Sequence, residues 1–245
     1  MTLRFDEGKC YAEFRPNYPD AFFNALRQHL PIGDIRALDV GTGTGQVAEK
    51  LASFCTSIDA IDISPSQLEH AIRKPNIRYH LASAEQLPFE SASFDLITVG
   101  QAVHWFQFDQ FYAEVRRVSK PTAVIAIVGY GNIILTEMIM PIISHFYSEV
   151  LRDYWDKERR HIDSAYTTIP FPFEEIAFPA FSISSFWTLD QLLGYLSTWS
   201  ALKRYRQVHS SNPLEFLSEH LLSLWPINER FQVSFPVLTR IGRII

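Results

Sequence analysis

The residues with the most chemical content begin at Asp39-Val40-Gly41-Thr42-Gly43-Thr44-Gly45, which follows an apolar run at 35–38 and leads into a helix-like stretch at 46–52. Glycines at this spacing let a chain turn sharply from strand to helix and leave no Cβ between its backbone and a nucleotide-like ligand. Gln46 stands where a dinucleotide fingerprint has its third glycine, which moves the reading from NAD toward S-adenosylmethionine. That molecule has no phosphate, so the glycines serve close approach of a ribose and a methionine tail rather than the binding of charge. Taken alone, the run also fits an ordinary glycine-rich surface loop.

Other side chains with chemical potential fall at the ends of predicted strands. Asp62 ends the second, where a carboxylate can accept hydrogen bonds from both ribose hydroxyls, with Ile63 packing on the adenine. Asp59 competes for that role on the same strand, and a helix cap shared with Ser64 is the plainer use of Asp62. After the fourth strand come His104 and Trp105. Methyl transfer is an in-line displacement from a sulfonium, so an enzyme has mainly to align the acceptor and exclude water. A carboxylate acceptor is ionised at neutral pH and needs no base, whereas a hydroxyl or amine does, and His104 is the candidate either to orient the first or to deprotonate the second. A histidine bonded to a loop carbonyl, with Trp105 in packing, is the structural alternative. Tyr11, Arg15 and Tyr18 can close over the site from the N-terminal segment, with Arg15 forming a bidentate pair to a carboxylate or else an ion pair to the body of the protein. Tyr130, at the end of the fifth strand, is a further substrate contact. The sequence has no HExxH, GxSxG or GxxxxGK[ST], so metal-dependent hydrolysis, serine hydrolysis and P-loop phosphate chemistry lack support, and no metal is expected.

The elements that must position these residues alternate. Strands are predicted at 35–40, 57–62, 77–81, 94–99 and 122–129, and helices between them at 46–54, 65–73 and 109–118. Connections of crossover size imply parallel pairing and a doubly wound α/β sheet. Beyond Tyr130 the chain becomes rich in aromatics and prolines and reads as a helical cap. Alternating stretches at 182–188 and 231–240 are expected to complete a seven-stranded, mostly parallel sheet as an antiparallel edge, with Pro236 compatible with an edge strand. Helices are expected at 189–208 and 213–224. The organisation predicted is one domain: an N-terminal helical segment to residue 34, a cofactor-binding core at 35–130, a cap insertion at 131–180, and the remaining strands and helices at 181–245.

Composition agrees with such an enzyme. The 245 residues are 47% hydrophobic and 20% charged, enough to bury a large core. A net charge of −5 gives no basic field for nucleic acid, so a small-molecule acceptor is expected instead. Cys10 and Cys55 form no ligand cluster, and with no signal-peptide-like start the expectation is a cytoplasmic protein, monomeric or homodimeric. The stretch 123–143 is apolar, but Gly129, Gly131, Asn132, Glu137 and Pro141 interrupt it, so a buried strand followed by a helix is favoured over a membrane span.

The glycine loop, Asp62-Ile63-Ser64, Ala84-Glu85-Gln86-Leu87-Pro88-Phe89 and Ser93-Phe94-Asp95-Leu96 together resemble the class I S-adenosylmethionine-dependent methyltransferases, over about residues 35–130. Within them, Tyr11-Ala12-Glu13-Phe14-Arg15-Pro16-Asn17-Tyr18-Pro19, Gln101-Ala102-Val103-His104-Trp105-Phe106, Pro170-Phe171-Pro172-Phe173 and Thr198-Trp199-Ser200 are similar to the trans-aconitate methyltransferases and their relatives. The resemblance implies a Rossmann-like fold and methylation of a small molecule, with a methyl ester as the product if the acceptor is a carboxylate. It further implies that Asp39, Gly41 and Gly43, with Thr42 and Gly45 in the same loop, line the methionine moiety; that Asp62 binds ribose; that Ala84 and Glu85 border adenine; and that Gln101 lies beside the sulfonium. S-adenosylhomocysteine would be the second product. Two departures stand out: Ser83 replaces an aspartate that holds the adenine amino group in many relatives, and Lys120-Pro121-Thr122-Ala123 replaces a Lys-Pro-Gly-Gly turn. An NAD-dependent oxidoreductase and a catalytically idle cofactor-binding module are the alternatives to weigh.

Overall fold

The computed structural model describes residues 15–209, 211–226 and 228–244. They fall into two units. Unit 2 holds residues 18–131, 160–181 and 236–244, and unit 1 holds 15–17, 132–159 and 182–235.

Strands β1 (Arg36–Val40), β2 (Ser57–Asp62), β3 (Ile77–Leu81), β4 (Phe94–Gly100), β5 (Ser119–Tyr130), β6 (Glu174–Glu175), β7 (Ser182–Trp187) and β8 (Phe231–Arg243) form one sheet. Its order is β3-β2-β1-β4-β5-β8-β6, with β7 also paired to β8. The pairs β1/β2, β1/β4, β2/β3 and β4/β5 are parallel, and β8 runs antiparallel to β5 and β6. This is the expected doubly wound α/β sheet, and its order reverses between β1 and β4, where such sheets bind ligands outside the strand carboxyl ends. The central strands are buried almost throughout, as in β4 from Phe94 to Val99, because helices cover both faces of a parallel sheet.

The helices of unit 2 follow from spacing and caps. In α4 (Phe108–Val118), Phe111, Tyr112, Val115 and Val118 recur at helical spacing and turn inward. Helix α3 (Pro65–Glu69) starts where the Ser64 hydroxyl accepts from Gln67 N and proline occupies the first turn. Helices α1 (Asp20–Arg27) and α2 (Gln46–Leu51) complete the set before β2. Residues 160–181 also pack on the sheet: Tyr166 and Ile169 are buried in its core, Tyr112 Oη donates to Pro170 O at 2.6 Å, and Arg240 Nη1 donates to Tyr166 O and Ile169 O. Unit 1 contains α5 (Met140–His145), β7, α7 (Leu189–Ser197), α8 (Ser200–Val208) and α9 (Pro213–Leu222), and α6 (Arg159–Asp163) leads into the 160–181 segment of unit 2. Its core is aromatic: Trp187, Tyr195 and Phe235 meet pairwise with ring centroids 5.2 to 5.6 Å apart. Among the described residues no helix is long and apolar enough to cross a membrane. Residues 123–143 comprise the buried part of β5, a non-helical connection at 131–139 and the start of the short helix α5.

Several expectations need correction. The sheet has eight strands because Glu174–Glu175 adds a two-residue strand to β8. Pro236 is not on an edge strand, since β8 has partners on both sides. It ends a ladder instead: the last β5 pair is Tyr130 with Val237, and Pro236 accepts from Gly131 N at 2.9 Å with no N–H to return. Strand β5 starts at Ser119 rather than 122, and its register against β4 shifts between the Phe94 and Leu96 pairs, where Thr122 takes a left-handed φ of 66°. The single helix expected over 189–208 is two, because the Ser197 and Thr198 hydroxyls bond back to Gly194 O and Tyr195 O, each at 2.6 Å, and Trp199 is extended.

Candidate cofactor site

The glycine loop leaves β1 at the reversal of strand order. Gly41, Gly43 and Gly45 all have left-handed φ, at 67°, 55° and 83°. Their immediate neighbours differ, however. A Cβ on Gly41 would stand 2.6 Å from the Ala102 Cβ, and one on Gly45 would run into the Tyr79 hydroxyl, whereas at Gly43 the nearest atom is Gln67 Oε1 at 3.7 Å. Two of the three glycines therefore answer to the protein's own packing, and Gly43 is the one whose backbone lies open. Thr42 N donates to Ile61 O at 2.9 Å, which ties the loop to β2.

Asp39 stands behind the loop rather than in it. It is fully buried, and its two oxygens accept from Thr42 Oγ1 at 2.6 Å and Thr98 Oγ1 at 2.7 Å. Burial pushes its pKa up to about 6, against the opposing pull of those hydroxyl bonds.

Asp62 holds the loop from the other side, its Oδ2 accepting from Gly43 N at 2.8 Å and its Oδ1 from Ser64 N at 2.9 Å. It remains half-exposed at the wall of a cavity of about 220 Å³. Asp59 is committed elsewhere, buried among Arg36, Arg78 and His80, with His80 Nε2 at 2.8 Å. Of the two carboxylates, Asp62 is thus the one beside open space.

The cavity is lined on one side by Gly41, Asp62 and the exposed Ile63, and on another by Ser83, Ala84 and Glu85. The Ser83 hydroxyl donates to the Glu85 carboxylate, which also accepts from Gln107 N at 2.9 Å and so braces the loop after β3 against the turn after β4. Partial burial draws the Glu85 carboxyl upward, but the bonds from Ser83, Gln107 and its own amide outweigh it and the net shift is downward. The following Leu87-Pro88-Phe89 stretch is fixed by α4: Glu114 accepts from Leu87 N at 2.7 Å, and Arg117 donates to Leu87 O, Phe89 O and Glu114.

The third wall comprises Ala102, Trp105 and Phe106. Trp105 is 55% exposed, while His104, in the same turn (Val103–Trp105), is 6% exposed and not in the lining. Gln101 has a left-handed φ of 53° and turns toward β5, where it accepts from Tyr130 N at 2.8 Å and donates to Tyr130 O at 3.3 Å. Tyr18 and Tyr130 are buried, with centroids 6.2 Å apart. Arg15 belongs to unit 1, where its guanidinium donates to Thr198 O at 3.3 Å and lies 5.8 Å from the Tyr195 ring centroid. Tyr11 lies outside the described residues. The structure thus gathers Gly41, Asp62, Ile63, Ser83, Ala84, Glu85 and Trp105 around one cavity, sets Thr42, Gly43 and Gly45 in the adjoining loop, and sets Asp39, Gln101 and His104 behind it. Phe106, Ala82 and Ala102 also line it but were not singled out from sequence, because an apolar wall has no motif of its own.

Comparison with known proteins decides the family. A methyltransferase-domain family matches residues 38–127. A protein of Dictyostelium discoideum named only as a methyltransferase is 30% identical over 236 residues, covering 94% of this chain and 90% of its own. The chain belongs to the class I S-adenosylmethionine-dependent methyltransferases. A solved structure from Anaeromyxobacter dehalogenans, named as a type II methyltransferase, is 38% identical with a TM-score of 0.87 and covers 95% of this chain and 99% of its own. An uncharacterised methyltransferase of Mycobacterium tuberculosis is 33% identical over 124 residues, 49% of each chain. The protein is a methyltransferase whose cofactor is S-adenosylmethionine, and the dinucleotide reading of its loop falls. The residues present fit that cofactor: an open backbone at Gly43, a carboxylate at Asp62 for hydroxyl groups, and apolar walls at Ile63 and Phe106.

Proposed function

We propose that this methyltransferase acts on the carboxylate of a small organic acid, giving a methyl ester, and that within its family it stands nearest the trans-aconitate methyltransferases. The observation that carries this reading is the lining of the cofactor cavity. Among the described residues its ionisable groups are Asp62 and Glu85, both bonded to backbone amides, and no imidazole or amine lines it. A hydroxyl or amine acceptor needs a positioned base, and a carboxylate does not.

When bound, S-adenosylmethionine supplies an electrophilic methyl group on a sulfonium. The chain's own residues would hold and orient. Asp62 takes the ribose hydroxyls and Ile63 the adenine face, with Ser83, Ala84 and Glu85 along the adenine edge. Gly41, Thr42, Gly43 and Gly45, kept in place by Asp39, bear the methionine moiety. Gln101 fixes the end of β5 beside it through Tyr130. Trp105 shields the acceptor from water, and His104 acts by orienting rather than by taking a proton; Tyr11, Arg15, Tyr18 and Tyr130 form the acceptor side of this proposal. The acidic net charge of −5 suits a small diffusible substrate over nucleic acid. The reading includes a cytoplasmic enzyme, monomeric or homodimeric.

The test measures S-adenosylhomocysteine release over a panel of small acids, alcohols and amines. Acids are expected to turn over, and His104→Asn is expected to lower kcat by less than about a hundredfold, below the usual worth of a general base. Turnover confined to alcohols or amines, with a larger loss in His104→Asn, overturns the carboxylate reading.

A further inference from the structure

Strand β4 is apolar from Leu96 to Val99 except at Thr98, which is 1% exposed. A hydroxyl buried in the middle of a parallel sheet is costly unless it is bonded, and valine offers the same β-branching without that cost. The Thr98 hydroxyl is bonded across the sheet. Thr98 stands opposite Asp39 in the β1/β4 register and donates to Asp39 Oδ1 at 2.7 Å, with Leu38 O farther off at 3.5 Å.

Asp39 is the point at which β1, β4, α2 and the glycine loop are tied together. Its Oδ2 accepts from Thr42 Oγ1 at 2.6 Å, and Ala48 N of α2 also donates to it. Each of these bonds is donated to the carboxylate, so the acceptor-only ionised form satisfies all three donors at once. A protonated Asp39 carries an O–H that needs an acceptor, and Thr42 or Thr98 has to turn its hydroxyl round to provide one. Thr42, between Gly41 and Gly43, is the partly exposed member of the pair, so the loop is the part that gives. The titratable groups that bear on Asp39 are the Asp62 carboxylate at the end of β2 and the Tyr79 hydroxyl of β3. Beyond them Glu49 of α2 pairs with Lys74 at 3.2 Å, and Arg73 lies 4.9 Å from the Tyr79 ring centroid. Among the described residues, two hydroxyls and one amide are thus what favours the Asp39 charge, with burial and Asp62 opposing them.

We propose that Thr98 is a positioning residue for the cofactor: its hydroxyl orients Asp39, Asp39 carries Thr42, and this relay from β4 sets how tightly the glycine loop holds S-adenosylmethionine. Thr98 is buried beneath the loop and acts through Asp39 and Thr42. The inference rests on the cofactor and is independent of which acceptor is methylated.

Calorimetric titration of the whole protein with S-adenosylhomocysteine tests it on wild type, Thr98→Val and Thr98→Ser, with urea unfolding to verify that each is folded. Removing a donor to the ionised form moves that group's titration upward, so the profile is followed from about pH 5.5 to about 8.5. Thr98→Val is expected to bind about tenfold weaker near neutral pH, the worth of one charge-assisted bond. The pH below which its affinity falls is expected to lie higher than in wild type by about one unit, and the gap to close toward the alkaline end. Thr98→Ser keeps the hydroxyl and is expected to stay within about threefold of wild type throughout. Strain in β4 lowers the urea midpoint but does not move a binding profile along the pH axis. Should Thr98→Val not fold, Thr98→Cys, whose thiol is a weak donor, is expected to move the profile the same way by less. The proposal is overturned if folded Thr98→Val binds as wild type does, if its loss is the same at every pH, if Thr98→Ser is as weak as Thr98→Val, or if Thr98→Cys, used in its place, leaves the profile unmoved.

Discussion

The Tyr79 hydroxyl lies over Gly45, closely enough that no Cβ fits between them. Tyr79 is held there by its bond to Ile72 O at 2.6 Å, and burial pushes its hydroxyl up to about 12, so it remains a donor at neutral pH. Gly45 also caps α2 with a φ of 83°. Gly45→Ala is therefore expected to destabilise by about 2 kcal/mol or more, from left-handed strain plus the displaced tyrosine. Gly43→Ala meets no such neighbour and is expected to lose only the strain, about 1–2 kcal/mol, while weakening cofactor binding more than Gly45→Ala does. Urea unfolding and S-adenosylhomocysteine calorimetry on both variants check the ordering, and equal stability losses would refute the steric part.

Asp62 bonds to two backbone amides, so it can serve as a plain cap or as a ligand to ribose. The two roles separate by measurement. Asp62→Ala is expected to raise the Kd for S-adenosylhomocysteine more than about tenfold, as lost charge-assisted bonds would. Asp62→Asn, which keeps one acceptor, is expected to fall between. A stable Asp62→Ala protein with wild-type affinity would leave Asp62 as a cap alone.

What was legible in the sequence follows from range. Strands β1, β2 and β4 were readable as short runs rich in Ile, Leu, Val and Ala that alternate with helix-like stretches at crossover spacing, and strand ends in a parallel sheet point to one edge. That logic located Asp62, Ser83 and Trp105 together. The glycines were readable, but the reason for Gly45 was not, because Tyr79 is far along the chain. Gln101 was placed beside the sulfonium by resemblance alone, and its bonds to Tyr130 depend on a left-handed backbone that no pattern announces. The break at Thr198 depends on hydroxyls competing for helix carbonyls, which periodicity does not register. A strand as short as Glu174–Glu175 has no periodicity to find.

The buried Asp39 predicts an unusual pH dependence. Its folded pKa of about 6 lies above the ordinary 3.8, so the folded state binds more protons than the unfolded one between those values. Its contribution to stability therefore falls as pH rises from about 4 to 6 and is flat above. Glu114 and Glu85, shifted downward, act in the opposite sense and at lower pH, losing their contribution as pH falls through their folded values. Urea unfolding of wild type and Asp39→Asn at half-unit steps is expected to give a difference that changes by about 3 kcal/mol across that window. Parallel curves for the two proteins would show that Asp39 does not titrate there.

Thr122 occupies the turn where the resembling family has glycine, and its φ of 66° is one that a β-branched residue adopts at a cost. The side chain is exposed, and the backbone carbonyl accepts from Arg243 Nη1 at 3.3 Å. Glycine would keep that bond and remove the strain, worth about 1–2 kcal/mol, while adding about 0.5–1 kcal/mol of unfolded-state entropy. Thr122→Gly is thus expected to stabilise the protein by about 0.5–1 kcal/mol, raising Tm by about 2 °C in a chain of this size. The denaturant midpoint should rise with an unchanged slope, since no surface is newly exposed. An unchanged or lower midpoint would mean that the turn relaxes around threonine and stores no strain.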